Sequence, residues 1–503
     1  MSEALRLVAA SGSLAEQETD AILAPVWQDG ALQGSAALVD SALNGLVHEM
    51  CQGREFRGER YEVTVLPLPV PMQSGSGLRA RRAALVGLGK AEEYGLNIWR
   101  RAVAAAVRRL QKGGLLRLAL DADDARLPAV DAAHAAAEGA ELARFNPAPY
   151  RTGENHHAAL AELIVCHAVA DDLRVGETLG RARNLTRDLT HMPPNDLNPE
   201  ALARQAIDIA ARLRGLECEV LGLEEMRALQ MGAILAVTQG TASPARLIVL
   251  RYRGREGGPT LALIGKAVTF DTGGISIKPA QNMQLMKTDM AGGAAVLGAL
   301  QAIGELAVPL NVVGVIPAAE NMPSGTAWRP ADIIRTMNGK TVETITTDAE
   351  GRMLLVDALT YAQRRLKATH LVDIATLTGA CVVALGHLAS GLYGNDQALV
   401  DALIACGEQA GEIHWPMPMF PEYREPIRSE IADLKNSAGR EAGSITGAWF
   451  VREFVEDGRL WAHLDIAGSA RQEKETPYAP AGPTGIGVGT FVGLAQWLAK
   501  QEG

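Results

Sequence analysis

Short apolar runs alternate with stretches of helical periodicity along almost the whole chain. In the N-terminal third, runs at 5–9, 21–26, 61–68, 83–88, 116–120 and 163–169 have the length and residue types of strands. Between them, 99–110 and 129–143 carry apolar and alanine positions at helical spacing. A helix at 173–189 leads into Pro193-Pro194-Asn195-Asp196-Leu197-Asn198-Pro199, where the prolines stop one helix and Pro199 can open the next at its first turn. Further strands are expected at 218–221, 233–237, 247–252, 261–265, 312–316 and 371–374, with helices at 199–213, 291–304 and 353–366. Strands spaced by helices predict a largely parallel or mixed sheet covered on both faces. The expected fold is α/β in two domains, a smaller one over 1–172 and a larger one over 173–503 with a central mixed sheet flanked by helices.

Composition narrows the functional classes. The 503 residues carry a net charge of −10, with 48% hydrophobic and 21% charged residues, which excludes a largely disordered chain. The acidic balance argues against nucleic acid as a bulk electrostatic partner. Five scattered cysteines form no Cys-x-x-Cys pair, so neither a disulfide framework nor a thiolate zinc site is readable, and free thiols in a reducing cytoplasm are expected. The most apolar stretch, 291–317, is broken by Gln301, Glu305 and Pro309 and reads as a buried helix followed by a strand, not a membrane span. The adjacent His156 and His157 would point to opposite faces of a strand and read as part of a surface loop.

Candidate chemistry is confined to the second domain. Gly265-Lys266-Ala267-Val268-Thr269-Phe270-Asp271-Thr272-Gly273-Gly274-Ile275-Ser276-Ile277-Lys278 sets a lysine and an aspartate around a short β-like run, followed by a Gly-Gly turn that lets the backbone approach a ligand closely. In Met286-Lys287-Thr288-Asp289-Met290-Ala291-Gly292-Gly293, an aspartate precedes a helix whose first residues are small. In Thr346-Thr347-Asp348-Ala349-Glu350-Gly351-Arg352, an extended stretch would put Asp348, Glu350 and Arg352 on one face, just ahead of a helix N-terminus that with Arg352 forms an anion site. Taken singly, an Asp before a helix reads as an N-cap, a lysine as solvated, and Asp-x-Glu-x-Arg as a charged strand edge. Four carboxylates, Asp271, Asp289, Asp348 and Glu350, cannot converge unpaired, so their joint occurrence points to cations. Divalent ions bound through oxygen, Mn²⁺ or Zn²⁺ and two in number, fit this set.

These segments resemble the leucyl aminopeptidase family, the cytosol aminopeptidases. Its Asn-Thr-Asp-Ala-Glu-Gly-Arg-Leu signature stands here at 346–353 with Thr346 and Met353 at its ends, and the lysine, aspartate and Gly-Gly segment matches fully. Pro193-Pro194-Asn195, Ala375-Thr376-Leu377-Thr378-Gly379 and Trp461-Ala462-His463-Leu464-Asp465-Ile466-Ala467-Gly468 also resemble it. The resemblance implies a dimetal aminopeptidase in which Asp271 and Glu350 bridge two ions, Lys266 (as a neutral amine) and Asp289 complete the tighter site, and Asp348 completes the more exchangeable one. It further implies attack by a metal-bound hydroxide, with Lys278 stabilising the tetrahedral intermediate and Arg352 holding a bicarbonate proton shuttle. The implied substrates are peptides with a free N-terminus, leucine-like residues preferred, and the implied assembly is a homohexamer. By the same analogy, Met286, Thr376, Gly379, Ala467 and Ala470 line the side-chain pocket. The resemblance gives His463 no role, and a buried, hydrogen-bonded histidine is expected there.

Two other readings keep different parts of this picture. Some bacterial members of the family also bind DNA, for which Arg100-Arg101 and Arg108-Arg109 are the candidate patches. Phosphoester hydrolysis would keep the metals but needs more basic residues than these loops provide.

Overall fold

The computed structural model describes residues 4–28, 30–68, 77–153 and 158–501. His156 and His157 lie outside them. The chain divides into two units, 1–184 with 473–481, and 185–472 with 482–503. The helix Ala170–His191 runs through the expected boundary at 172/173, so the division falls within that helix. A two-stranded ladder, Arg471–Gln472 with Gly482–Pro483, closes the neck of the 473–481 excursion.

The first unit is built on six strands: β1 (Arg6–Ala10), β2 (Ala21–Trp27), β3 (Val63–Pro67), β4 (Arg82–Gly89), β5 (Arg117–Asp121) and β6 (Glu162–Cys166). They lie in the order β1-β6-β5-β2-β4-β3, parallel except for β3. Side chains alternate between two cores: Ala21 and Leu23 enter one, Ile22, Ala24 and Val26 the other. A strand buried on both faces reads as a continuous apolar run, which is how β2 stands in the sequence.

In the second unit the strands are β7 (Leu216–Leu221), β8 (Arg246–Arg253), β9 (Thr260–Gly265), β10 (Ala267–Asp271), β11 (Asn311–Asn321), β12 (Ile333–Arg335), β13 (Thr341–Glu343), β14 (His370–Ala375), β15 (Ala389–Gly394), β16 (Ile413–Pro416), β17 (Leu434–Lys435) and β18 (Leu460–Asp465). Nine of them form one mixed sheet in the order β16-β15-β18-β14-β9-β11-β8-β7, with β10 pairing β11. Within it β18, β14, β9, β11 and β10 run parallel, so their carboxyl ends share one edge. The helix Glu350–Arg364 packs with Ala262 and Ile264 of β9 in one core. The helix Ala291–Glu305 also packs on β9, and its Ala- and Gly-rich sequence lets it be buried nearly all round.

One expected strand, 233–237, is a helix, Gly232–Val237. Its short apolar run has no periodicity to tell the two apart. Asp357 settles the matter by accepting from the Ala233 and Ile234 backbone N–H groups at 2.9 and 3.1 Å. Among the described residues, no helix is long and apolar enough to cross a membrane. All five cysteines are free.

Candidate metal centre

Parallel strands deliver ligands to the carboxyl edge of a sheet, and the candidate residues collect there. Lys266 sits at the break between β9 and β10, which follow each other along β11. Its N–H donates to the Ile374 carbonyl of β14 at 3.1 Å, and its own carbonyl accepts from Gly293 N–H at 2.7 Å. Asp271 closes β10 five residues later. In a regular strand an odd separation turns two side chains to opposite faces. The ladder to β11 is irregular between Val268 and Phe270, and this bulge adds the residue that brings Asp271 back to the side of Lys266.

The chain then turns through Gly273 and Gly274, both at positive φ (85° and 67°). A Cβ at Gly273 would lie 2.7 Å from the Asp348 carboxylate, so the turn needs glycine for its conformation and for its space. Thr347 ties this turn to the third segment: its hydroxyl donates to the Gly273 carbonyl at 2.6 Å and accepts from Ser276 N–H at 2.8 Å.

Two lysines meet the four carboxylates. Lys266 Nζ donates to Asp289 Oδ1, Glu350 Oε1 and the Thr376 carbonyl at 2.8, 2.8 and 2.9 Å. Lys278 Nζ lies 2.7 Å from Asp271 Oδ2 and 2.5 Å from Asp348 Oδ1. Side-chain exposure is 3% for Lys266 and Glu350, 2% for Asp271 and 9% for Asp289, but 38% for Asp348. Asp271, Asp348 and Glu350 each offer an oxygen within 4.8 Å of the others. Asp289 Oδ2 and Glu350 Oε2 are buried without a hydrogen-bond partner. Two ammonium groups leave part of this charge uncompensated, and unpartnered buried carboxylate oxygens are what divalent ions coordinate, so the residues fit a metal centre.

The electrostatics follow from burial against neighbouring charge. Burial and the nearby Glu350 raise Asp271 to about 6. For Glu350 burial pushes upward, but Lys266 and Lys278 outweigh it and hold the carboxyl down at about 2. Burial would neutralise Lys266, yet Asp289, Glu350 and Asp271 together keep it an ammonium, with its pKa above the ordinary lysine value.

Asp348, Glu350 and Arg352 do not share a face, contrary to the extended reading. Glu350 opens the helix Glu350–Arg364, and Gly351 is its second residue. Residues two apart in a helix point about 200° apart. Glu350 therefore turns to Lys266, while Arg352 donates from Nη1 to the Asn436 carbonyl at 2.8 Å. Arg352 Nε is buried without a partner. Burial lowers the Arg352 pKa, opposed by Glu350 and Asp465. Gly351 is required for space, because a Cβ there would lie 2.5 Å from Lys266 Cε.

Of the residues read as pocket walls, Thr376 lies on the centre itself, its hydroxyl donating to Asp289 Oδ1 at 2.7 Å. Met286 is half-buried in the turn Met283–Thr288, Gly379 is exposed at the start of the helix Gly379–Leu385, Ala467 is half-buried after β18, and Ala470 is buried. His463 is fully buried, its Nδ1 2.5 Å from Asp373 Oδ1, and Trp461 Nε1 donates to the same carboxylate at 2.7 Å.

Asn321 carries no motif in the sequence, yet it joins two ligand loops. At the end of β11 its Nδ2 donates to Asp271 Oδ1 and the Thr347 carbonyl at 2.9 and 3.0 Å. The strand was expected over 312–316 and runs on to Asn321, so no signal in the sequence marked this residue.

One arginine of each pair expected as a nucleic-acid patch is turned inward, while Arg101 is half-buried and Arg109 exposed. Arg100 is buried against Glu138, and Arg108 is buried with its guanidinium on Glu475 and the Pro477 carbonyl. A guanidinium neutralised inside the fold is not available to phosphate.

Comparison with known proteins shows the family of the chain. Residues 184–492 match the model of the cytosol aminopeptidase family catalytic domain, and 24–154 that of the family's N-terminal domain. A protein of Solibacter usitatus named "Probable cytosol aminopeptidase" is 45% identical over 492 residues, 97% of this chain and 98% of that one. One of the same name from Geobacter sulfurreducens is 43% identical, covering 94% of this chain and 95% of its own. Among solved structures, the bottromycin maturation enzyme BotP in complex with Mn is 35% identical, with a TM-score of 0.84 over 96% of this chain and all of that one. A mutant of tomato leucine aminopeptidase is 30% identical, with a TM-score of 0.87 over 99% of this chain and 98% of its own. The chain belongs to the cytosol aminopeptidase family and is a metal-dependent aminopeptidase.

Proposed function

We propose that the chain releases N-terminal residues, leucine-like ones preferred, from peptides with a free N-terminus, and that Lys266, Asp271, Asp289, Asp348 and Glu350 hold two divalent ions, Mn²⁺ or Zn²⁺. The observation that carries this reading is the convergence of four carboxylates, two with a buried, unpartnered oxygen, at one sheet edge. When bound, such ions polarise a carbonyl and lower the pKa of water. Asp271 and Glu350, the most buried of the carboxylates, would hold both ions. The greater exposure of Asp348 supports its place in the more exchangeable one. Lys266 would serve as a ligand only as the neutral amine, so binding of dications in place of its charge would release its proton to solvent. Lys278 reaches the centre from a partly open side, its side chain 23% exposed, and donates to the oxygen of the scissile carbonyl as charge develops there. Arg352 holds bicarbonate, in keeping with its buried Nε beside a helix N-terminus. Met286, Thr376, Gly379, Ala467 and Ala470 shape the site for the substrate's first side chain.

Chelation tests this reading. Protein stripped of metal is expected to lose hydrolysis of leucine amide and to regain it with Mn²⁺ or Zn²⁺. Undiminished turnover by the stripped protein would overturn the assignment, and a phosphoester assayed in parallel separates peptide from phosphate chemistry.

We further infer a homohexamer working in the cytoplasm. Five free cysteines agree with a reducing setting, and Trp415 and Phe420, 59% and 61% exposed in the single chain, agree with further burial on assembly. Light scattering on the purified protein is expected to give six times the chain mass; a monomer at micromolar concentration contradicts it.

A further inference from the structure

The loop that places Thr376 beside two of the proposed ligands is not held by the sheet. It leaves β14 after Ala375 and must turn into the helix Gly379–Leu385 within three residues. In the parallel pairing of β14 with β18, Ala375 stands opposite Asp465, the last residue of β18. Past that point the N–H groups of Leu377 and Thr378 have no strand to pair with.

Asp465 takes them. Its Oδ1 accepts from Leu377, Thr378 and Ala467 N–H at 3.1, 3.4 and 3.1 Å, and its Oδ2 accepts from the Thr378 hydroxyl at 2.7 Å. The Thr378 hydroxyl in turn accepts from Cys381 N–H at 3.0 Å and caps the helix. Asp465 has no exposed surface. A carboxylate so placed is costly unless every bond is made, and here three of the four come from the loop. What the loop presents is directed at the centre: the Thr376 carbonyl accepts from Lys266 Nζ at 2.9 Å, and the Thr376 hydroxyl donates to Asp289 Oδ1 at 2.7 Å.

We infer that Asp465 is a positioning residue of the metal centre: it fixes residues 376–378 so that Thr376 orients Lys266 and Asp289, the pair assigned to the tighter site. This rests on the dimetal reading and extends it to a residue that touches neither ion nor substrate. Outer partners of this kind set the direction of a ligand, and losing one costs about 10–100-fold in metal affinity.

The test compares Asp465→Asn with the parent chain, full-length and stripped of metal. Mn²⁺ binding is followed by calorimetry, Tm by thermal unfolding, and kcat and KM for leucine p-nitroanilide across Mn²⁺ concentration. Asparagine keeps the shape, but its amide nitrogen must face at least one of the donors. The parent chain is expected to bind two Mn²⁺. In the variant one of the two sites weakens by about 10–100-fold, the other is unchanged, and the lost activity returns in excess Mn²⁺ with KM little altered. Wild-type affinity at both sites in D465N, even with a lowered Tm, overturns the inference and leaves the dimetal reading intact. A parent chain that takes up no Mn²⁺ overturns both. Should D465N fail to fold, Thr378→Val and Thr378→Ser decide: the valine variant is expected to weaken the same site and the serine variant to restore it, and equal affinities in the two overturn the inference.

Discussion

Lys278→Ala is expected to lower kcat for leucine p-nitroanilide by about 10²–10³-fold, with the Mn²⁺ content of the protein unchanged. The two lysines of the centre differ in what they can reach. Lys266 is enclosed by Asp289, Glu350 and the Thr376 carbonyl, with no donor left for a substrate. Lys278 approaches from the partly open side, and once divalent ions neutralise Asp271 and Asp348 its ammonium is free to turn to the carbonyl oxygen. In the metal-free chain burial works to neutralise it, but Glu350, Asp271 and Asp348 more than compensate and hold its pKa above the ordinary lysine value. A donor that acts mainly as charge develops lowers kcat and leaves KM nearly constant. A variant within tenfold of the parent rate, or one that sheds its metal, would show that Lys278 has another role.

Glu350→Gln is expected to be more severe, with a loss of at least about 10³-fold in activity because the bridging charge is gone. Mn²⁺ affinity should fall by more than about 100-fold, beyond the cost of losing an outer partner. The amide keeps the size of the side chain and can still accept from Lys266, so the fold should survive. Circular dichroism and a Mn²⁺ titration of the same sample check both statements; full metal occupancy in the glutamine variant would remove Glu350 from the ligand set. A pH series adds a signed test. In the metal-free chain the Glu350 carboxyl is held at about 2 against an ordinary 4.5, so its contribution to stability is complete above 4.5 and is lost as pH falls through 2. The stability gap between parent and variant should therefore close in acid.

The centre was legible in the sequence because its residues stand in short segments, each beside glycines. Local conformation was less legible. Asp348-x-Glu350-x-Arg352 fits both an extended strand and the first turn of a helix, and Gly351 reads as a breaker when its environment is unknown. Its true reason for being glycine is the Lys266 side chain from another strand, a contact that spacing along one segment cannot reveal. For the same reason Asn321 stood in no motif, and Asp465, though inside the 461–468 segment, carried no role. Each is an ordinary strand-end residue until pairing of β11 with β10 and of β18 with β14 sets it beside a loop it must hold. Arg100 and Arg108 differ in the opposite sense: charge in a sequence looks like surface, and Glu138 and Glu475 turn these two inward, while Arg109 stays exposed. The segment 233–237 went wrong because the carboxylate that caps it, Asp357, lies more than a hundred residues away in the chain.

The irregular step in β10 gives the motif a reading frame. Four residues separate Lys266 from Asp271, a count that suits two side chains on one face only when one residue of the strand is skipped by its partner. Removing a single residue from 267–270 would leave all the ligands in the sequence and in the correct order. The separation would then be even, and a regular strand without the bulge could keep both ligands on one face in the same register along β11. A relative one residue shorter in this stretch is thus expected to run a regular strand here with its ligand set intact, so the bulge and the length of the motif change together.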